Sequence, residues 1–331
     1  MRILITGGSG FIGTNLIELL LSENVQEFIN VDKQKPFNSE QKKYWVDCNI
    51  IDTVKLKKIF DEYKPTHIVH LAARTDTASE ILEDYSDNTK GSQSLLTVIE
   101  NSTSVKHTII TSTQYVYKSK QRPFPVSDND FKPHTAYGLS KKITEEYTRN
   151  STMNSAWTIV RPTNVWGPWH MRYPNELWKI IDKGLYFHPG NEDPIKSYAY
   201  VKNVVYQIYK ILLSPIQDVD NQVYYVGDYS MHSKKWLNAF TVELTGKKIK
   251  VVPKFFLYLL SVMGTVLNKM NIRFPLSILR FENMIDDYDT PIEKTIRQFG
   301  LSHPDLEANV RETINWVKND GKHFFPYWSN K

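Results

Sequence analysis

Cysteine is almost absent from this sequence: Cys48 is the only one among 331 residues. A single cysteine cannot form a disulfide within the chain, and the paired Cys and His spacings of zinc sites are also missing. The residue types therefore predict neither a disulfide nor a metal site. A chain built without disulfides suits a reducing compartment, and we expect a cytoplasmic protein.

Long apolar runs and dense blocks of basic charge are missing as well. The longest apolar stretch, residues 255–267, is shorter than the ~20 residues that span a bilayer, and the N-terminus MRILITGGSG lacks the regions of a signal peptide. The 41 Lys and Arg residues exceed the 36 Asp and Glu residues only slightly and form no block. The sequence therefore predicts no stable membrane insertion and no nucleic-acid partner. The small positive excess fits either an ordinary surface or a basic cleft for a small anion.

Strand-like and helix-like segments alternate through the first half of the chain. Short apolar runs indicate buried strands, and apolar residues at helical spacing indicate helices. The predicted strands are 2–6, 27–32, 67–71, 107–111 and 157–160, and the predicted helices are 11–22, 55–63, 92–100 and 136–149. Repeated βα units of this kind form a parallel sheet with helices on both faces. We predict a doubly wound α/β fold of the Rossmann type.

A glycine-rich turn, GGSGFIG, follows the first predicted strand. Gly7, Gly10 and Gly13 allow the backbone to turn tightly and to approach a pyrophosphate, and the helix that follows directs its first N–H groups and its dipole at that anion. The second strand ends at Asp32, whose carboxylate would accept hydrogen bonds from a ribose and repel a 2′-phosphate. The pattern predicts NAD rather than NADP.

The spacing of strands and helices changes after about residue 167, where Pro, Trp and Tyr become denser. We expect residues 1–166 to form the NAD-binding domain. Residues 167–331 are expected to form mainly a smaller α/β subdomain that binds the substrate. Residues 222–226 have the pattern of one more strand, which we expect to return to the main sheet.

Tyr137 and Lys141 form a Tyr-x-x-x-Lys pattern on the predicted helix 136–149. Residues four apart share a helix face, so the lysine charge would favour the phenolate form that a tyrosine needs to act as a general base. Thr113 follows the strand 107–111, at the sheet edge where open α/β sheets bind ligands. Its hydroxyl is placed to hydrogen-bond a substrate oxygen.

Taken together, these motifs resemble those of the extended short-chain dehydrogenase/reductases, in particular the NAD-dependent epimerase/dehydratase group that acts on nucleotide sugars. The resemblance covers nearly the whole chain and keeps the family's order of motifs. They are GGSGFIG (7–13), VD (31–32), HLAA (70–73), NTKG (88–91), TSTQYVY (111–117), YGLSK (137–141) and RPTNVWGP (161–168). The resemblance implies an NAD-dependent oxidoreductase or epimerase.

The resemblance also implies which residues carry the chemistry. The catalytic residues would be Thr113, Tyr137 and Lys141, with Tyr137 as the base. Asp47 would reach the adenine, Asn88 would support the catalytic helix, and Pro162 would lie beside the nicotinamide. The full set of implied NAD-binding residues is Gly7, Gly10, Phe11, Ile12, Gly13, Asp32, Asp47, Cys48, Leu71, Ala72, Ala73, Asn88, Thr111, Tyr137, Lys141 and Pro162.

A UDP-, GDP- or dTDP-linked sugar is the implied substrate. The residues expected to bind it are Thr75, Thr113, Gln114, Asn164, Lys196 and Tyr198. Lys196 stands where the family usually has an arginine, so it keeps the charge but loses two-pronged phosphate binding. Asn203 stands where the family has an aspartate. These departures weaken the prediction of a nucleotide-sugar substrate more than the prediction of the cofactor.

The reaction is narrowed by the two residues after Thr113. In the family's 4,6-dehydratases an Asp-Glu pair at this point expels water, whereas this chain has Gln114-Tyr115. We therefore expect no dehydratase, and an epimerase of a nucleotide sugar is our leading hypothesis. A nucleotide-sugar 4-keto reductase or dehydrogenase uses the same three catalytic residues and stays open, as does an enzyme like the 3β-hydroxysteroid dehydrogenases. Tyr137 and Lys141 argue against a non-catalytic NAD sensor.

The apolar segment 255–263 allows two interpretations, because lysines precede it and Lys269 follows it. It is either a buried helix of the second subdomain or a surface that meets a membrane or a hydrophobic substrate. The family resemblance further implies a homodimer, joined through helices near 91–101 and 136–149 into a four-helix bundle.

Overall fold

The structure, a computed structural model, describes residues 1–118, 127–272 and 274–329. Strands and α-helices are numbered in chain order. The strands are β1 (Ile3–Thr6), β2 (Phe28–Asp32), β3 (Trp45–Asp47), β4 (His67–His70), β5 (His107–Thr111), β6 (Ala156–Pro162), β7 (Asn164–Trp166), β8 (Phe187–Pro189), β9 (Ile195–Lys196), β10 (Tyr198–Tyr200), β11 (Gln222–Val226), β12 (Met231–His232) and β13 (Lys250–Val252). The α-helices are α1 (Phe11–Ser22), α2 (Thr53–Tyr63), α3 (Ser86–Glu100), α4 (Ala136–Asn150), α5 (Lys179–Asp182), α6 (Val201–Leu213), α7 (Ile216–Val219), α8 (Ser233–Thr245), α9 (Lys254–Lys269), α10 (Ile278–Ile285), α11 (Glu293–Phe299), α12 (Leu306–Lys318) and α13 (Pro326–Ser329).

The chain divides into two compact units. The first comprises residues 1–165, 199–229 and 291–303, and the second comprises 166–198, 230–290 and 304–331. The first unit therefore draws on three separate stretches of the chain.

A seven-stranded sheet in the order β11-β6-β5-β4-β1-β2-β3 forms the centre of the first unit. Each neighbouring pair in it runs parallel. Parallel neighbours need crossover connections, which here are mostly helices. The predicted doubly wound α/β fold is therefore confirmed. At one edge β11 lies beside β6, with Val223 opposite Ile159.

Apolar side chains on both faces of the sheet explain why its strands are buried. All four residues of β1 are buried. On one face Leu16 of α1 and Val204 of α6 belong to the same core cluster as Ile3 of β1. On the other face Leu56 of α2 and Leu95 of α3 join Leu4 in a second cluster. The strands of this parallel sheet are apolar almost throughout, so both of its faces must be covered, and helices cover them.

Most of the predicted elements occur close to their predicted bounds, and the largest difference is at α3. This helix begins at Ser86 rather than at residue 92. Its first turn carries few apolar residues, because it is buried through polar ones such as Asn88, so apolar periodicity did not reveal it. β6 is also longer than predicted and extends to Pro162.

The second unit contains two small sheets and an aromatic core. β12 pairs with β9 antiparallel, and β13 pairs with β8 parallel. The rings of Trp166, Trp178 and Trp236 pack around Phe240, with centroid distances to it of 5.2, 5.1 and 4.6 Å. The dense tryptophans of this region are therefore core residues.

The apolar segment near residue 255 forms α9, but it is not the buried helix that one interpretation predicted. Its large apolar side chains, such as Phe255 and Met263, are exposed, and its buried residues are Leu257, Ser261 and Gly264. None of the described helices combines the length and the apolar character that a membrane crossing requires.

Candidate active site

The glycine-rich turn connects β1 to α1 and leaves no room for a side chain at Gly7 or Gly13. Gly7 has a φ of +73°, and a Cβ on it would collide with the backbone of Ala72. A Cβ on Gly13 would lie 2.5 Å from the Gly7 carbonyl oxygen. The cap of α1 is Gly10, which has no side chain to accept hydrogen bonds from the first helical turn. A phosphate can take that place, since it accepts hydrogen bonds and complements the helix dipole.

Asp32 ends β2 next to this turn. Its carboxylate accepts hydrogen bonds from the backbone N–H groups of Ser9, at 3.1 Å, and Gln34, at 2.9 Å. Burial raises the pKa of the Asp32 carboxyl in spite of these two donors. The neighbouring Lys33 forms an ion pair of 2.5 Å with Asp87.

Two further predicted cofactor residues lie at the end of β3. Asp47 is exposed, and Lys55 Nζ lies 3.7 Å from its carboxylate. Cys48 is buried in the core beside α2, and burial raises the pKa of its thiol. The Cys48 side chain thus behaves as a small apolar residue.

Thr113 and Tyr137 come from different elements that are packed closely together. Thr113 begins the short helical turn Gln114–Val116, and its Oγ1 accepts a hydrogen bond of 3.3 Å from the Tyr115 N–H. Tyr137 is in the first turn of α4, beside Gly138, where a Cβ would collide with the Tyr115 carbonyl oxygen. Gly138 therefore allows α4 to start directly against the segment that carries Thr113.

The Tyr137 side chain is buried between two other phenols. Its ring centroid lies 6.1 Å from those of both Tyr85 and Tyr115. Lys141 follows one turn later and is 1% exposed. Burial lowers the pKa of Lys141 to about 8, and the nearby Glu145 carboxylate opposes that shift.

Glu145 is itself held by a buried arginine. Arg161 Nη2 lies 2.7 Å from the Glu145 carboxylate, and both side chains are fully buried. The same guanidinium donates a hydrogen bond of 3.2 Å to the Tyr225 hydroxyl. Sequence reasoning gave neither Glu145 nor Arg161 a role.

A chain of buried polar side chains, also missed from the sequence, connects β1 to α4. His70 lies 2.7 Å from Thr6 Oγ1 through Nδ1 and 3.0 Å from Ser92 Oγ through Nε2. Ser92 Oγ lies 3.3 Å from Thr144 Oγ1, which donates a hydrogen bond of 3.1 Å to the Ser140 carbonyl oxygen. Burial, and then the Lys141 charge, lower the pKa of His70 to about 3, so the ring stays neutral. The sequence signal that could have revealed this chain is the recurrence of small polar residues every four positions on α4, at Ser140, Thr144 and Thr148.

The expected substrate residues are spread over both units. In the first unit Gln114 Nε2 donates a hydrogen bond of 3.0 Å to Asn164 Oδ1. Thr75 is exposed, next to an ion pair of 2.8 Å between Arg74 and Asp76. Asn203, in place of the family's aspartate, donates a hydrogen bond of 2.7 Å to Asp228.

In the second unit Lys196 and Tyr198 already have protein partners. Lys196 Nζ donates to the Asn283 carbonyl oxygen, and burial lowers the pKa of this lysine to about 8. Tyr198 is buried, with its ring stacked on Trp236 at a centroid distance of 4.5 Å. Neither side chain is an exposed phosphate ligand in this arrangement.

Three buried hydroxyl groups at the sheet edge could hydrogen-bond a polar cofactor. Within the described residues, Thr111 Oγ1, Ser112 Oγ and Thr163 Oγ1 have no hydrogen-bond partner. All three follow or end β5 and β6. Buried hydroxyls without a partner are costly, and a ligand with many hydrogen-bonding groups would satisfy them. Together with the glycine turn, they fit a dinucleotide along this edge.

Comparison with known proteins agrees with this geometry. A sequence model of the NAD dependent epimerase/dehydratase family matches residues 3–227. GDP-6-deoxy-D-talose 4-dehydrogenase of Aggregatibacter actinomycetemcomitans is 26% identical over 223 residues, which are 66% of this chain and 72% of that protein. N-acetyl-alpha-D-glucosaminyl-diphospho-ditrans,octacis-undecaprenol 4-epimerase of Escherichia coli O157:H7 is 28% identical over 212 residues, 62% of this chain and 61% of that protein. Among solved structures, UDP-glucose 4-epimerase of Thermus thermophilus in complex with NAD has a TM-score of 0.71 and 22% identity, covering 96% of this chain and 99% of its own.

Proposed function

The chain belongs to the NAD dependent epimerase/dehydratase family, as its motifs predicted, and from this premise we propose that it is an NAD-dependent epimerase of a nucleotide sugar. It is an enzyme of the extended short-chain dehydrogenase/reductase type, and its cofactor is NAD. The nucleotide-sugar substrate is inferred from relatives named for GDP-linked and dTDP-linked sugars.

One observation carries the choice of an epimerase over a dehydratase. The set Thr113, Tyr137 and Lys141 is complete, but the two residues after Thr113 are an amide and a phenol. Gln114 is buried, and its amide is hydrogen-bonded to Asn164 at 3.0 Å. By resemblance, a dehydratase has an acid and a carboxylate here to expel water, and an amide cannot take over either task.

We assign the cofactor contacts to the residues at the carboxyl edge of the sheet. Gly7, Gly10 and Gly13 would hold the pyrophosphate, and Asp32 the adenosine ribose. When bound, NAD supplies an acceptor for the hydrogen and electron pair of a sugar carbon and then returns them. Lys141 would hold the nicotinamide ribose in addition to its effect on Tyr137.

In this proposal the protein's own residues move and hold the proton. Thr113 would hydrogen-bond the reacting sugar hydroxyl, and Tyr137 would take its proton. Lys141, an ammonium below its pKa of about 8, would stabilise the phenolate by charge. After the keto sugar turns, Tyr137 would return the proton while the carbon is reduced from its other face, so that the sugar is inverted at one carbon with no net redox change.

A nucleotide-sugar dehydrogenase or reductase is the second candidate, since one relative is named as a 4-dehydrogenase. The same Thr113, Tyr137 and Lys141 would serve it, but its cofactor would exchange in every turnover. We also propose that the second unit binds the substrate and that two copies associate through α3 and α4. Light scattering in the micromolar range would test the dimer, which a monomeric mass would contradict.

A two-step experiment tests the proposed reaction. A thermal-shift screen of UDP-, GDP- and dTDP-sugars and of sterols on the NAD-bound protein selects ligands, since a ligand of the native state raises the melting temperature. Each selected sugar is then incubated with the protein without added cofactor. The epimerase proposal expects conversion to one epimer up to an equilibrium ratio. Strict dependence on added NADH or NADPH with net reduction would select the reductase, and selection of a sterol would select a hydroxysteroid dehydrogenase.

A further inference from the structure

The helix α9 has most of its large apolar residues on the outside, whereas its buried side consists of Leu257 and the small residues Ser261 and Gly264. Ser261 is fully buried, and Gly264 packs so tightly that a Cβ on it would collide with the Leu276 carbonyl oxygen. The outer side carries six exposed apolar side chains: Phe255, Phe256, Leu259, Met263, Val266 and Met270. Phe255 and Phe256 are adjacent, and from Phe256 to Met270, the residue that caps α9, successive members are three or four residues apart. This spacing places them on one side of the helix. A water-facing helix has the opposite arrangement, so this outer stripe, here called the α9 face, is built to meet an apolar phase.

The helix α9 packs against its neighbour α10. The Tyr258 ring meets the Phe281 ring at a centroid distance of 5.8 Å, and the Ile278 N–H donates a hydrogen bond of 2.9 Å to Thr265 Oγ1. Leu279 on α10 is 65% exposed and adds to the apolar surface. The exposure is therefore a property of a packed helix pair and not of a loose end.

The stretch of sequence that contains the α9 face carries charge of only one sign. The sequence from Gly246 to Phe281 contains seven Lys or Arg residues and no Asp or Glu, while the whole chain has a net charge of only +5. Lys247 and Lys248 are exposed before β13, the strand that leads into α9, and Lys269 is exposed in the last turn of α9. Two of the seven pair with acidic residues outside this stretch: Lys254 with Glu192 at 2.7 Å, and Arg280 with Glu176 at 3.6 Å. A basic rim around an apolar stripe attracts a negatively charged surface.

We propose that the α9 face docks the protein reversibly on the surface of a membrane that contains anionic lipid. An interfacial helix needs an apolar face that enters the boundary of the acyl chains and basic residues that meet the headgroups. The α9 face supplies both. A second copy of the chain on the same face would bring two basic stretches together, which charge repulsion disfavours.

The docking is tested by sedimenting the full chain with vesicles of phosphatidylcholine alone or of an equal mixture of phosphatidylcholine and phosphatidylglycerol. We expect the protein to sediment with the mixed vesicles at low salt, at least about tenfold more weakly with the neutral ones, and less as salt rises. The variant Phe256→Asp/Leu259→Asp should lose about tenfold or more in vesicle affinity. The variant Lys247→Glu/Lys248→Glu should also bind less, without any change in α9 itself.

The control is Val54→Asp on α2, an apolar residue that is 83% exposed and lies far along the sequence from α9. It should sediment like the unchanged protein, and all variants should keep the NAD-induced thermal shift. The proposal fails if the unchanged protein stays in the supernatant with both vesicles, or if the α9 variant binds as well as the control. It also fails if the α9 variant changes the molecular mass in light scattering but not vesicle binding, which would make the face a contact between copies.

Discussion

Asn88 Nδ2 on α3 donates a hydrogen bond of 2.9 Å to Ser140 Oγ, one residue before Lys141 on α4. The other end of the amide is also occupied, because Asn88 Oδ1 accepts a hydrogen bond of 2.7 Å from the Arg74 N–H. One buried side chain thus joins the segment after β4 to the helix that carries Tyr137. The resemblance implied this supporting role, and the contacts supply a physical reason for it.

Asn88→Ala should therefore weaken both stability and activity. It leaves the Arg74 backbone groups without this partner, which costs about 1–3 kcal/mol of unfolding free energy. Displacement of α4 should lower kcat at least about tenfold in folded protein, because reacting groups tolerate little misplacement. Urea unfolding and steady-state kinetics measure the two effects. The control is Asn101→Ala at the exposed end of α3, and equal effects from both variants would refute the supporting role.

Lys141 gives a pH dependence with a defined sign. Burial lowers its pKa from 10.5 to about 8, so between these pH values the unfolded chain binds more protons than the folded one. Burying the Lys141 charge therefore lowers the free energy of unfolding, and this cost is full below pH 8. The cost is relieved as the pH rises from 8 toward 10.5. Lys141→Met should abolish turnover, yet raise the unfolding free energy at neutral pH by about 3 kcal/mol.

The stability advantage of Lys141→Met should shrink as the pH rises above 8 toward 10.5. Thermal or urea unfolding of the NAD-free protein across this range measures it. Lys142→Met, at the neighbouring position where the side chain pairs with Glu146, should change neither turnover nor the pH profile. A Lys141→Met protein less stable than the unchanged chain at neutral pH would contradict the burial argument.

Replacing only one member of the buried ion pair between Arg161 and Glu145 should lower the free energy of unfolding. Glu145→Gln leaves the fully buried Arg161 guanidinium with only the half-exposed Asp128 carboxylate, 3.5 Å from Nη1. We expect this loss to cost about 3 kcal/mol in urea unfolding. Glu146→Gln, next along α4 but half-exposed, should cost under about 1 kcal/mol. The double variant Arg161→Met/Glu145→Met should recover part of the loss, and a Glu145→Gln protein as stable as Glu146→Gln would disprove the charge argument.

The fold of the first unit was largely predictable because its strands are buried on both faces. β1 and β5 are uninterrupted runs of buried residues, which a sequence displays as apolar or β-branched segments. α9 was not predictable in the same way. Its apolar residues nearly surround the helix, so the sequence alone cannot tell which side packs on the protein. The burial of Leu257, Ser261 and Gly264 identifies that side.

The candidate site was predictable where neighbouring residues in the sequence determine the chemistry. The glycine turn and the Tyr137–Lys141 spacing are two such motifs. Residues that act through long-range contacts were not. His70 belongs to a recognised motif, but its contact to Ser92 joins positions 22 apart in the sequence. Lys196 was expected to meet a phosphate, whereas Asn283, far along the chain, accepts its hydrogen bond. No local pattern reports such partners.

The most direct test of the proposed reaction follows the hydrogen at the inverted carbon. The sugar selected by thermal shift is incubated in D2O with the purified NAD-bound protein and no added cofactor, and the products are followed by NMR and mass spectrometry. Tyr137→Phe should be inactive, whereas Tyr147→Phe, an exposed position on the same helix α4, should retain activity. We predict an epimer that has no deuterium at the inverted carbon and an unchanged mass once its hydroxyl groups have been exchanged back in H2O. Deuterium at that carbon, loss of water, or net formation of NADH with a keto sugar would contradict it.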